Sequence, residues 1–107
     1  MKDFSDNWAE KAKKLGYRSR ASFKLDQIEN KYKIISRSDL IFEFGSAPGG
    51  WSQIISKYMK KKSKCFSFDL LSMSEVKNIS FFQQDINSSE FNLLAKNYFN
   101  EVDLVLS

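Results

Sequence analysis

The chain has no histidine, and one cysteine among 107 residues. With no imidazole and a single thiol, an ordinary zinc site cannot be assembled from it, and no internal disulfide can form. Cys65 stands beside Phe66 in an apolar run. It reads as a small strand hydrophobe rather than a reactive thiol, and such sparing use of cysteine fits a reducing compartment. No apolar stretch approaches the ~18 residues of a membrane helix. The opening Met-Lys-Asp-Phe-Ser-Asp lacks the apolar core of a secretory signal, so the expected location is cytoplasmic. Glycine and proline are also scarce, at four and one. Gly45, Gly49, Gly50 and the lone Pro48 all fall within one short segment.

What is present is a soluble composition, 42% hydrophobic and 28% charged. Its length is that of one domain with a modest core. A formal charge of +4 and a pI near 9.2 suit an RNA partner without requiring one. Apolar spacing predicts a helix over residues 17–32, with Tyr17, Ala21, Leu25, Ile28 and Tyr32 in one stripe, and further helices around Trp51, Ile54, Ile55 and Tyr58 and over residues 91–99. Apolar runs predict strands at residues 40–44, 65–68, 79–82 and 102–106. Residues 70–78 read as a flexible loop. Strands that alternate with helices and lack polar alternation indicate an α/β fold whose parallel sheet is covered on both faces.

The glycine segment links the first strand to a helix in Leu-Ile-Phe-Glu-Phe-Gly-Ser-Ala-Pro-Gly-Gly-Trp, residues 40–51. A strand, a tight turn and a helix start bring backbone N–H groups against a nucleotide-like ligand. The spacing is not the G-x-G-x-x-G of dinucleotide folds. No Lys-Ser or Lys-Thr follows the last glycine, as a phosphate loop requires. A ligand without phosphate is expected, and S-adenosyl-L-methionine fits.

Residues 45–53, Gly-Ser-Ala-Pro-Gly-Gly-Trp-Ser-Gln, closely resemble the cofactor motif of the FtsJ-like ribose 2′-O-methyltransferases, usually Asp-Leu-Gly-Ala-Ala-Pro-Gly-Gly-Trp-Ser-Gln. Residues 17–25, Tyr-Arg-Ser-Arg-Ala-Ser-Phe-Lys-Leu, resemble an upstream motif of that family. Phe68-Asp69-Leu-Leu-Ser-Met, Gln84-Asp85-Ile and Asp103-Leu-Val-Leu-Ser follow in the family's order. The likeness runs from about Trp8 to the last residue and is closest to the bacterial enzymes that methylate large-subunit ribosomal RNA. Glu43 stands where the family has Asp, and Ser46 where it has Ala.

The resemblance implies a partial Rossmann-like methyltransferase fold over residues 1–107, its parallel sheet lacking the later strands. Residues 1–35 form an RNA-facing helical segment and residues 36–107 the cofactor-binding part. It implies S-adenosyl-L-methionine contacts at Gly49 and Trp51, with Asp69 on the ribose and Asp85 on the adenine amino group. Glu43, one methylene longer than Asp, would meet the methionine amine in a displaced position. Lys24 corresponds to the first member of a Lys-Asp-Lys-Glu tetrad at the methyl acceptor. A lysine there steadies a developing alkoxide or, when neutral, takes the 2′-hydroxyl proton. Lys24 lies about 70° from the centre of the apolar stripe, so helical geometry alone reads it as part of a solvated basic flank. Asp85 alone reads as an Asx turn, and residues 60–64, rich in lysine, as a solvated helix end. Arg18 and Arg20 are the expected RNA phosphate contacts. The resemblance places the family's other tetrad members beyond Ser107, so the 107-residue chain alone is expected to be catalytically dead or nearly so, with a complementary chain as one possible partner. Three readings stand: a methyltransferase of the large ribosomal subunit, a cofactor- or RNA-binding module without catalysis, and a decaying gene remnant.

Overall fold

Side chains alternate across a strand, so an apolar run covered on both faces supplies two cores at once. That principle organises residues 4–107, the part described by this computed structural model. Helices α1 (Phe4–Lys14) and α2 (Ala21–Tyr32) precede β1 (Leu40–Phe44), α3 (Gly50–Tyr58), β2 (Lys64–Asp69), β3 (Ile79–Gln83), α4 (Ser89–Tyr98) and β4 (Leu104–Leu106). The sheet has the order β3-β2-β1-β4, and every pairing is parallel. The α/β expectation and all four expected strands are met.

On one face, Ile41 and Cys65 pack with Leu25, Ile54 and Ile55 from α2 and α3. On the other, Phe42, Phe66 and Phe68 pack with Phe91, Leu94 and Tyr98 of α4 and with Phe82. The second core is held by ring contacts, including Phe68 edge-on to Phe91 at 5.1 Å and Phe66 edge-on to Tyr98 at 4.9 Å. Such pairs add about 0.5–1.5 kcal/mol each beyond area burial. Cys65 is 1% exposed, and burial pushes its thiol up to about 12, as a structural cysteine requires.

Two corrections concern the first helical region. The helix expected from residue 17 begins at Ala21, because the chain leaves α1 through a turn in which Tyr17 N–H donates to Ala12 O at 2.8 Å. The buried stripe of α2 is Ser22, Leu25 and Glu29, whereas Ala21 and Tyr32 are exposed. Polar residues occupy the inner face because each has a partner there. Ser22 Oγ donates to Gly50 O. The fully buried Glu29 carboxylate accepts from Ile35 N–H at 2.7 Å and Ser36 N–H at 3.1 Å. Burial of a charge is tolerable only with such bonds. Residues 60–64 form a turn and the start of β2 rather than a helix end, with Lys60 paired to Asp39.

β4 is an edge of the sheet, anchored at its start. The Asp103 carboxylate accepts from Asp39 N–H at 2.8 Å and Leu40 N–H at 3.0 Å. Burial alone would raise this acid, but those N–H groups and the nearby Lys60 charge hold it below its usual value.

Glu29→Ala leaves two backbone donors without partners. Urea unfolding should show a loss of about 2–4 kcal/mol, and a loss below about 1 kcal/mol would mean that the turn after α2 does not depend on this carboxylate.

Candidate cofactor site

β1 has β2 on one side and β4 on the other, so the chain changes direction across the sheet at its carboxyl end. Ligands of open parallel sheets bind at such a point. The turn after β1 is held there by β2. Gly45 N–H and Ser46 N–H both donate to Phe68 O, at 2.8 and 3.2 Å. Ala47 N–H donates to Asp69 Oδ2 at 2.8 Å, and Leu71 N–H to Asp69 Oδ1 at 3.0 Å. Gly49 then adopts φ 114°, open to glycine at little cost, and α3 begins at Gly50.

The α2 end is docked on this turn by side chains of α3. Gln53 accepts from Arg18 N–H at 2.8 Å and donates to Gly16 O at 3.0 Å. Trp51 Nε1 donates to Ala21 O at 3.1 Å. Gly50 is required by closeness, since a Cβ there would collide with Ser19 Oγ and lie 2.8 Å from Ser22 Oγ. The result is an open cleft of about 240 Å³ lined by Ser19, Glu43, Gly45, Ser46, Trp51 and Ser107, among others. A larger hollow of about 410 Å³ lies at the amino ends of β2 and β3, lined by lysines and no carboxylate.

The sequence-derived residues are distributed as follows. Trp51 lines the cleft, and Gly49 forms the turn behind it. Asp69 is half-buried at the end of β2 and ties the turn to the next loop. Asp85 is exposed, and its Oδ1 accepts from Asn87 N–H at 2.9 Å, which is the Asx turn expected from local chemistry. Lys24 is exposed on the first turn of α2. Arg20 is exposed as well. Arg18 is engaged within the protein, its guanidinium donating to the carbonyls of Pro48, Ser74 and Glu75. Sequence reasoning also missed Gln53, Ser22 and Ser19 as docking groups. The Gly49-Gly50 doublet was the available signal, since adjacent glycines mark a close approach by another part of the chain.

The profile of the FtsJ-like methyltransferases matches residues 17–107. The chain belongs to this family. Ribosomal RNA large subunit methyltransferase E of Francisella tularensis subsp. novicida is 41% identical over 107 residues, covering 96% of this chain and 51% of that protein. The enzyme of the same name from Francisella philomiragia is 41% identical over 86 residues, covering 80% and 42%. The chain thus spans about half the length of the curated relatives it matches. Among solved structures, a crystal structure described as a ribosomal RNA methyltransferase of Plasmodium falciparum superposes with a TM-score of 0.64 at 30% identity, covering 83% of this chain and 54% of that one.

The two departures from the FtsJ-like motif now have a structural context. Glu43 is 1% exposed, and its Oε1 accepts from Ser52 Oγ and Ser67 Oγ, both at 2.6 Å. Burial pushes its carboxyl above the usual range. The two serine bonds oppose that shift, and the Asp69 charge adds to it. Ser46 is 4% exposed, and its Oγ has no hydrogen-bond partner among the described residues. A buried hydroxyl without a partner costs stability.

Two outcomes are expected. Ser46→Ala, the residue of the family motif, removes that cost and should raise stability by about 1 kcal/mol at an unchanged m value in urea; a loss of stability would show that the hydroxyl is satisfied. For Glu43, the folded carboxyl titrates above 4.5. The folded state therefore holds the extra proton, and stability rises as pH falls through the folded value toward 4.5. Relative to Glu43→Gln, the unaltered chain should gain stability over that window, and parallel pH profiles would remove the assignment.

Proposed function

We propose that this chain is the cofactor-binding part of a cytoplasmic methyltransferase that transfers the methyl group of S-adenosyl-L-methionine to a ribose 2′-hydroxyl of large-subunit ribosomal RNA. The reading rests chiefly on one arrangement: a glycine turn at the strand-order reversal, flanked by acids, with the basic α2 end docked against it. The names of the relatives support the RNA substrate.

The groups present fit this cofactor. It carries an ammonium, a sulfonium, a ribose diol and an adenine, and no phosphate, which suits a turn without a phosphate-binding lysine. When bound, it supplies an electrophilic methyl group. Each Asp69 oxygen receives one described N–H bond and retains acceptor capacity for a ribose diol. Asp85 is accessible for an adenine amino group, and the buried Glu43 lies on the methionine side. Gly49 and Trp51 shape the turn. Lys24 serves the acceptor ribose, holding charge beside the developing alkoxide or removing its proton. Arg20 contacts RNA phosphate from the same helix start.

The FtsJ-like resemblance implies further tetrad groups, which a part of the domain outside these 107 residues would supply. That part of the domain, in the same polypeptide or in a complementary one, would join along the β4 edge. There Val105 is 55% exposed beside an apolar groove of Phe42, Phe44, Phe91 and Phe99. An unpaired apolar edge is a ready template for another strand.

Calorimetric titration with S-adenosyl-L-methionine should show binding, and Asp69→Ala should weaken it by about 1–3 kcal/mol. Undiminished affinity removes Asp69 from the site, and no binding by the unaltered chain overturns the cofactor reading. Neutralising Arg20 and Lys24 together should flatten the salt dependence of RNA binding by up to about two units of slope; an unchanged slope would move the RNA surface elsewhere.

A further inference from the structure

We infer that Arg18 is a positioning residue that straps the loop of residues 70–78 over the cofactor turn and thereby builds the wall beside Asp69. The inference rests on the cofactor reading above.

Arg18 Nη1 donates to Ser74 O at 2.6 Å and to Pro48 O at 3.2 Å, and Nη2 donates to Glu75 O at 2.6 Å. One guanidinium therefore bridges the turn after β1 and the loop after β2. Its root is fixed, because the Arg18 backbone N–H is held by Gln53. Gly49 makes room for it: a Cβ there would lie 2.8 Å from Arg18 Nη1 and 3.2 Å from Met73 Sδ. The loop is tied at its ends by other groups. Leu71 N–H meets Asp69, Gln83 Nε2 donates to Leu70 O, and Ser56 Oγ donates to Lys77 O. Between them, the described bonds from the rest of the protein to Ser74 and Glu75 are those of Arg18. The planar fork of arginine can serve several carbonyls at once, as a lysine ammonium on a flexible stem cannot do with the same geometry. The segment that carries Arg20 and Lys24 is thereby connected both to the turn after β1 and to the loop that follows Asp69.

The test uses Arg18→Lys and Arg18→Ala in the full chain, with Arg20→Ala as the comparison. Amide exchange over residues 72–77, measured without ligand, should quicken by about tenfold or more in both Arg18 variants and not in Arg20→Ala. Calorimetric affinity for S-adenosylhomocysteine should fall about tenfold in both. Arg18→Lys keeps the charge, so the salt slope of RNA binding should stay unchanged. Unaltered loop exchange in both variants overturns the strap. Quickened exchange with unaltered nucleoside affinity overturns the positioning role. If the unaltered chain binds no nucleoside, the cofactor reading fails, and the ligand-free exchange data still decide whether Arg18 holds the loop.

Discussion

Three successive N–H groups, of Gly45, Ser46 and Ala47, leave β1 with no ladder partner ahead of them, and β2 supplies their acceptors through the Phe68 carbonyl and the Asp69 carboxylate. Orphaned donors at a strand end must be satisfied from somewhere. Taking both acceptors from the neighbouring strand fixes the turn relative to the sheet rather than to its own helix. The start of α3 follows from that turn, and the docking of residues 16–22 follows from α3. A change in the β1–β2 register would therefore reach Lys24 as surely as it reaches the cleft.

The elements that the sequence made legible are those whose residues answer to local or periodic rules. Leu40–Phe44 and Lys64–Asp69 carry apolar residues on both sides of the strand, with only Glu43 and Ser67 breaking the inner rows, and such runs between turn signals read as buried strands. The turn after β1 was legible from its glycines. The inner face of α2 was not, because Ser22 and Glu29 are polar by type and buried by partnership, with partners at Gly50, Ile35 and Ser36. Periodicity scores the residue and cannot see the bond. The internal role of Arg18 was hidden for the same reason: its three carbonyl partners, from two distant loops, cannot be read from a basic residue beside a basic helix.

Glu43 shows how a departure from a family motif can be absorbed. Its carboxylate is shared with Ser52 on α3 and Ser67 on β2, so the acid pins the helix to the sheet just below the turn. The two hydroxyls satisfy lone pairs without neutralising the charge. The raised proton affinity is what such a site should show, because hydroxyl donors compensate desolvation less fully than a cation would. The same group thus stabilises the geometry below the turn while its charged form carries the energetic cost of burial.

The two faces of the sheet are unequal in a way that bears on the cleft. The α2 and α3 face has fully buried aliphatic side chains from both helices, whereas α4 contributes no fully buried residue. Helices that bury little open at lower free energy, so motion should concentrate in α4 and the short β4. Yet Ser107, just after β4, lines the cleft beside the glycine turn. Besides the parallel ladder of β4 on β1, the Asp103 carboxylate on Asp39 and Leu40 helps keep this wall in place against a loosely covered face. Because that acid is held below its usual value, its contribution is present at neutrality and lost as pH falls through the lowered value. The cleft therefore depends at one end on the buried Glu43 and at the other on the exposed Asp103. Acid acts on them in opposite senses, protonating Glu43 first with a gain in stability and Asp103 later with a loss.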